Sequence, residues 1–180
     1  RVYRLHIYSK TIIDMQHITS IVNNIWSILS IIAGVISLGI LVSLFVPKYK
    51  NTAFSRFFET HGLTIAFVAA FFATVGSLIY SDVIGYEPCK LCWFQRIFIY
   101  PDMIILGIAL WKKDINIHVY GIALATCGGV TALFHYIGQL GINPFGLECL
   151  AVGYSSACTK NFVLQFGYMT IPLMAFSACF

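Results

Sequence analysis

Charged side chains are scarce in this sequence. Only 10% of its 180 residues are charged, whereas 59% are hydrophobic, and a soluble domain usually carries about 25% charged residues. So few charges cannot cover a water-facing surface, which excludes an ordinary soluble protein and indicates a membrane protein. The net charge of +4 is not concentrated in a basic block, so the sequence predicts no nucleic-acid partner.

Long apolar runs are abundant instead. Five of them are long enough, or nearly so, to cross a bilayer, since a spanning helix needs about 20 mostly apolar residues. They cover residues 25–46, 62–80, 93–111, 117–140 and 166–180. The runs predict an all-α membrane protein built as one bundle. We divide the chain into an N-terminal peripheral segment (1–20), a transmembrane helix (21–50) and a bundle with its outer loops (54–180).

The positions of the basic residues predict the orientation. The loop 47–61 and the turn after the third run, with Lys112 and Lys113, are basic, so the positive-inside rule places both in the cytoplasm. The segments 81–92 and 141–165 each carry a single lysine and then lie outside, where disulfides persist. The basic residues of 1–20 disagree with this topology. That stretch either lies on the membrane surface as a short amphipathic helix or is an appendage whose upstream sequence is missing.

Two of the six cysteines form a C-x-x-C motif, Cys89-Lys90-Leu91-Cys92, where an outer loop meets the third helix. The spacing allows a small, reversible disulfide ring, and a helix N-terminus stabilises a thiolate, so we expect a lowered thiol pKa. The same spacing also forms half of a zinc site. The position at the outer mouth of a membrane helix favours redox chemistry.

Cys149 and Cys158 lie in the outer segment after the fourth run. One interpretation is a structural disulfide that closes a flexible loop. The other is exchange through a mixed disulfide, by which neighbouring pairs pass electrons in series from a soluble partner to a lipid-soluble acceptor. Cys127 and Cys179 lie within apolar runs, and we assign both to packing.

Few polar residues interrupt the apolar runs. Arg96 lies one helical turn beyond Cys92 on about the same face, where it either snorkels to the headgroups or stabilises a thiolate and a developing anion. Gln95 could donate a hydrogen bond to a carbonyl. His135 lies at a depth similar to that of Arg96, either as a packing residue or as part of the same pocket and a proton shuttle. We expect Asp102 to be protonated, paired or water-lined, without a catalytic role.

The residues 87–101, EPCKLCWFQRIFIYP, resemble the signature of the DsbB/BdbC disulfide-bond formation proteins. Their core, C-x-L-C-x-x-Q-R, is far more specific than C-x-x-C. The stretch from His135 to Cys149 also resembles that family's fourth helix and the loop that leaves it. The resemblance covers residues 54–180. It implies a four-helix transmembrane bundle, to which the run 25–46 would be one additional N-terminal transmembrane helix.

The resemblance further implies a multi-pass protein of the bacterial inner (cytoplasmic) membrane. Such a protein reoxidises a thioredoxin-fold thiol oxidase of the DsbA/BdbD type, soluble or membrane-anchored, and reduces a quinone, either ubiquinone or menaquinone. The implied catalytic residues are the quinone-proximal pair Cys89 and Cys92, and the partner-exchanging pair Cys149 and Cys158. The implied quinone-binding residues are Arg96, Gln95 and His135.

Other interpretations stay open at this point. The two cysteine pairs could together form a zinc site with four thiolate ligands, or the chain could be a membrane scaffold with inert structural disulfides. Vitamin K epoxide reductase-type proteins use similar chemistry, but their loop pair precedes the C-x-x-C motif, whereas here Cys149 and Cys158 follow it.

Overall fold

The computed structural model describes residues 2–46, 53–141 and 163–179. Within them no β-strand forms beyond an isolated bridge between Gln165 and Met169, so the all-α prediction is confirmed for this part of the chain. A π-helical turn (Ile79–Val83) extends the second helix, and a 3-10 turn (Ile115–Ile117) joins the third to the fourth. The helices are α1 (Val2–Phe45), α2 (Ala53–Leu78), α3 (Lys90–Lys112), α4 (His118–Gln139) and α5 (Ile171–Cys179).

Among these described residues, four stretches of helix are long and apolar enough to cross a membrane: Gln16–Ser43, Arg56–Val83, Lys90–Lys112 and His118–Gln139. Helix α5 has nine described residues, which is shorter than a span requires, so the fifth span stays a prediction. Helix α1 continues without a break through residue 20. The division of the chain into segments 1–20, 21–50 and 54–180 also stays a prediction.

The start of α5 differs from the prediction of a helix from residue 166. Phe166 and Gly167 both have positive φ, 55° and 80°, which is the left-handed region that a continuing helix cannot use. They form a tight turn in which Gln165 and Met169 pair their backbones, so α5 begins only at Ile171.

Glycines bring α3 and α4 close together. A Cβ atom added to Gly121 would lie 3.1 Å from Leu106 Cδ2, and one added to Gly128 would lie 3.3 Å from Phe98 Cβ. Small residues at such positions allow membrane helices to approach closely, which is where their packing energy arises. The antiparallel pair therefore places the C-terminal end of α4 beside the first turn of α3.

Helix α1 lies against α2 and α5. The Trp26 ring would be only 3.2 Å from a Cβ atom on Gly76, and Ser177 lies 3.9 Å from a Cβ atom on Gly34. Trp26 also packs edge-on against Phe72, with ring centroids 6.3 Å apart. The additional helix is thus packed onto the others and not separate from them.

Candidate functional site

The first turn of α3 brings the two cysteines of the C-x-x-C motif together. Cys89 is the N-cap residue, and its Sγ accepts a hydrogen bond from the Cys92 backbone N at 3.3 Å. The two Sγ atoms are 3.1 Å apart, within hydrogen-bond contact as reduced thiols. A covalent S–S bond is about 2.05 Å long, so a movement of roughly 1 Å interconverts dithiol and disulfide.

The expectation of a lowered thiol pKa is wrong for Cys89. The hydrogen bond with the Cys92 thiol and burial together raise the pKa of Cys89 to about 12, and the contact with His135 opposes that rise. The helix N-terminus contributes favourably to a thiolate, but the neighbouring sulfur and the loss of water outweigh it. Cys89 is therefore a neutral thiol in the reduced pair at neutral pH.

His135 on α4 contacts the same sulfur. Its Nε2 is 3.6 Å from Cys89 Sγ, and its Nδ1 is 3.2 Å from Gln95 Nε2. All three side chains are buried, with exposed fractions of 2% for Cys89, 2% for His135 and 4% for Gln95. Because the Gln95 amide N–H donates to Nδ1, the imidazole proton lies on Nε2 and is directed at the Cys89 sulfur. The three residues form a connected polar chain in a dry environment.

Arg96 is held by α2. Its Nε donates to Ser77 Oγ and one terminal nitrogen donates to the Ser77 carbonyl, both at 3.0 Å. Tyr100 Oη donates to the same Ser77 Oγ at 3.3 Å, and the guanidinium lies 5.1 Å from the Trp93 ring centroid. Since a guanidinium has five N–H donors, these two bonds leave others for a ligand. The contacts fix the side chain inside the bundle.

A cavity of about 300 Å³ opens beside this group, lined mainly by apolar side chains. All five helices contribute to its wall, and its polar side chains include Cys92, Gln95, Arg96 and His135. Cys89 does not line it. Trp26 of α1 closes one side. The volume is at the lower end of the range for small-molecule pockets, roughly 300–1,000 Å³, and an apolar wall with a few polar groups is typical of them.

The other predicted residues fall outside this group. Cys149 and Cys158 lie outside the described residues. Cys127 is exposed and Cys179 half-buried, and both are free thiols. Asp102 is 8% exposed, and its Oδ1 has no hydrogen-bond partner among the described residues.

The sequence did not indicate the roles of Ser77 on α2, Tyr100 on α3 or Trp26 on α1. Ser77 accepts hydrogen bonds from Arg96 and from Tyr100, and Trp26 forms part of the cavity wall. Serine and aromatic residues are common throughout the apolar runs. The helix geometry gives one weak indication that Ser77 has a functional role. Ser77 lies just before the π-helical turn Ile79–Val83, and such irregular turns are frequent at functional sites.

Comparisons with known proteins cover most of the described bundle. The family model described as "Disulfide bond formation protein DsbB" matches residues 59–178, which leaves α1 outside the match. The chain is 40% identical over 119 residues to "Probable disulfide formation protein C 1" of Bacillus anthracis, covering 65% of this chain and 83% of that protein. It is 44% identical over 116 residues to "SPbeta prophage-derived disulfide bond formation protein B" of Bacillus subtilis strain 168, covering 64% and 76%.

A third relative is more distant. "Disulfide bond formation protein C" of Bacillus subtilis strain 168 is 34% identical over 116 residues, covering 64% of this chain and 83% of that protein. No solved structure matches the chain.

Proposed function

Because the chain belongs to the DsbB family of disulfide bond formation proteins, we propose that it is a membrane thiol–disulfide oxidoreductase that transfers electrons from a thioredoxin-fold thiol oxidase to a quinone. The observation that carries this proposal is the contact of the Cys89–Cys92 pair with His135 at a cavity that Arg96 also lines. A redox pair, a hydrogen-bond donor and a cation thus meet at one apolar pocket.

The proposed route begins with the outer cysteines. A thiolate of the reduced partner attacks the Cys149–Cys158 disulfide and forms a mixed disulfide, which the second partner thiol resolves. The partner leaves oxidised, and Cys149 and Cys158 are now thiols. These reduce the Cys89–Cys92 disulfide by the same exchange. Each exchange moves two electrons and two protons, so the reduced pair at α3 holds the equivalents that entered from the partner.

The Cys92 sulfur is the proposed exit for these electrons, because Cys92 lines the cavity and Cys89 does not. A quinone bound there supplies a two-electron, two-proton acceptor. Cys89 and Cys92 return to the disulfide as they release those electrons and protons. His135 Nε2–H stabilises the Cys89 thiolate during this change, and His135 also lines the cavity.

The cavity fits a quinone head in its chemistry. Its apolar walls suit a ring and the first part of an isoprenoid tail, whereas carbonyl oxygens need donors. The remaining N–H groups of Arg96 and the amide of Gln95 are donors beside the cavity. A half-buried guanidinium such as that of Arg96 also stabilises negative charge that develops on a bound oxygen. Comparing the reduction rates of ubiquinone and menaquinone analogues distinguishes the two as acceptors.

The proposal includes a location and an orientation. The relatives and the apolar helices support a multi-pass protein, which we place in a bacterial cytoplasmic membrane with the first turn of α3 on the extracytoplasmic side. His135, near the other end of an antiparallel helix, then lies on that side too. A membrane-impermeant thiol reagent applied to intact cells should label Cys92 in reduced protein from outside.

The test is quinone reduction by the purified protein with a reduced thioredoxin-fold partner, compared among ubiquinone and menaquinone analogues. Cys149→Ser and Cys158→Ser should lose turnover driven by the partner. They should retain turnover driven by a small dithiol, which can reach the α3 pair directly. Cys127→Ser is the matched control and should behave as the unaltered protein does. Equal partner-driven turnover in Cys158→Ser would contradict the two-pair route.

The four-cysteine zinc site and the inert disulfide scaffold remain rival hypotheses, since Cys149 and Cys158 lie outside the described residues. Metal analysis of protein purified without reductant separates the first from the proposed function, because a structural zinc would be stoichiometric there. A trapped mixed disulfide between Cys149 or Cys158 and the partner would rule out the second.

A further inference from the structure

We propose that the reduced site also binds a thiophilic divalent cation, Zn²⁺ in the first instance, through Cys89, Cys92 and His135. Their three ligand atoms lie within 4.8 Å of one another. Two thiolates and an imidazole are the ligands that Zn²⁺ prefers. The inference rests on the proposed function in one respect, namely that turnover regenerates the reduced pair that the cation needs.

The distances suit a tetrahedral centre. With Zn–S about 2.3 Å and Zn–N about 2.0 Å, sulfur and nitrogen ligands are about 3.6 Å apart and two sulfurs about 3.8 Å apart. Cys89 Sγ and His135 Nε2 are already 3.6 Å apart. The two sulfurs, at 3.1 Å, need to separate by roughly 0.7 Å. Rotation of Cys92, which borders the cavity, supplies that space.

Gln95 can also orient His135 when the site holds a metal ion. A metal on Nε2 requires the imidazole proton on Nδ1, which then needs an acceptor. The Gln95 amide contacts Nδ1 at 3.2 Å, and rotating that amide by half a turn presents its oxygen in place of its nitrogen. The same glutamine therefore directs Nε2–H at Cys89 in the redox state and orients Nε2 as a ligand in the metal state.

The site differs from a structural zinc site. Three protein ligands leave the fourth position open, as in catalytic zinc sites, whereas structural sites have four protein ligands. Binding forms two Zn–S bonds and one Zn–N bond and releases the two thiol protons, with no change in oxidation state. The disulfide form has no thiolate to offer and does not bind. Zinc thus holds the pair reduced and blocks the delivery of electrons.

The experiment uses Co²⁺ as a spectroscopic probe on the full chain carrying Cys149→Ser and Cys158→Ser. The protein is reduced, freed of reductant without oxygen and titrated with Co²⁺. We expect one Co²⁺ per chain, with sulfur-to-cobalt charge-transfer absorption in the near ultraviolet and tetrahedral bands in the visible. Zn²⁺ should displace the Co²⁺ and remove both absorptions.

Single substitutions in that background assign the ligands. Cys89→Ser and Cys92→Ser should each lose at least half of the charge-transfer intensity. His135→Ala should weaken binding at least about tenfold, and Gln95→Leu by roughly tenfold. Cys127→Ser, which alters an exposed thiol, is the control and should leave the titration unchanged.

Two results would overturn the inference: no charge-transfer absorption in the background protein, or absorption that persists at full strength in Cys92→Ser. Should His135→Ala fail to fold, protection of Cys92 from alkylation by Zn²⁺ in the background protein gives the same decision, since an unprotected Cys92 contradicts the site. No quinone or partner enters these measurements. Failure of the quinone assay and failure of metal binding are therefore separate outcomes.

Discussion

Helix α3 carries ionisable groups at two places along its apolar length, and their surroundings differ. Near its N-terminal end, Arg96 makes two hydrogen bonds to Ser77 and lies over the Trp93 ring. Six residues further along, Asp102 is buried, yet its Oδ1 has no hydrogen-bond partner among the described residues. Arg96 lines the cavity and Asp102 does not.

The difference distinguishes a candidate functional site from a polar residue that the fold only accommodates. Placing a charged side chain within a membrane helix costs free energy at either position, so that cost alone does not identify a functional residue. Near the N-terminal end of α3, α2 supplies Ser77 to Arg96 and α4 supplies His135 to Gln95, and a cavity lies beside them. Beside Asp102, α4 supplies Gly121, from which an added Cβ atom would lie 3.2 Å from Oδ1. The predictions below alter one region at a time, from the largest expected effect to the smallest.

Cys92→Ser should have the largest effect. The variant removes the sulfur that borders the cavity, so no disulfide can form in α3 and no electrons can leave. We expect quinone reduction to fall by at least about a thousandfold, measured as quinone absorbance with a small dithiol as donor. Cys127→Ser is the matched thiol control. Substantial turnover in Cys92→Ser would place the redox centre away from the N-terminal end of α3.

Arg96→Met should chiefly raise the apparent KM for quinone. A hydrogen bond to a charged group contributes about 1.5–3 kcal/mol, which corresponds to a change of roughly ten- to a hundredfold. Arg96→Lys keeps the charge but loses the paired contacts with Ser77, so it should give an intermediate KM. A change in Tm with an unaltered KM would instead assign Arg96 to snorkelling, and the contrast with Asp102 would disappear.

His135→Leu should lower kcat. The His135 contact lowers the pKa of Cys89 against the stronger opposing effects of Cys92 and burial, so its loss raises that pKa further. The thiolate fraction falls tenfold for each pKa unit, and we expect roughly a tenfold lower kcat at pH 7. The pKa of Cys89 lies well above neutral pH both with and without His135. Raising the assay pH by about one unit should therefore restore the thiolate fraction and the rate. A loss that alkaline pH does not recover would give His135 a purely structural role.

The N-terminal region of α3 was largely predictable from the sequence, for reasons particular to its residues. A C-x-x-C motif and an arginine are both rare in apolar runs, and helical rise placed Arg96 and His135 at matching depths. The contact of His135 with Cys89 was not predictable, because depth along two helices does not give their rotation. Ser77, Tyr100 and Trp26 were missed because such residues occur throughout the runs.

Predicting the direction of the Cys89 pKa shift also required the three-dimensional structure. A helix N-terminus is visible in the sequence and favours a thiolate. The contact between the two sulfurs and the burial of Cys89 depend on how α4 covers the first turn of α3. The expected direction of the Cys89 pKa was wrong for that reason. For Asp102, the absence of a catalytic role stays a prediction, and the next substitution tests it.

Asp102→Asn should have the smallest effect on catalysis. The substitution keeps the shape beside Gly121 and removes the ability to carry a buried charge. We expect turnover and quinone KM within about twofold of the unaltered protein, because Asp102 does not line the cavity. Asparagine cannot ionise, so the substitution removes the cost of a buried charge and should stabilise the bundle by about 1 kcal/mol, or roughly 2–4 °C in Tm, measured by thermal unfolding in detergent.

The comparison within α3 depends on the outcome of this last substitution. If Asp102→Asn lowered turnover by tenfold or more while Tm stayed constant or rose, the middle of α3 would belong to the reaction, and a proton path along the bundle would have to connect it to the cavity. If turnover were unchanged and Tm rose, Asp102 would be a polar residue that the glycine-rich α3–α4 contact tolerates at a cost. A stabilised and fully active Asp102→Asn, beside an impaired Arg96→Met of normal stability, would separate the two regions on one helix by experiment.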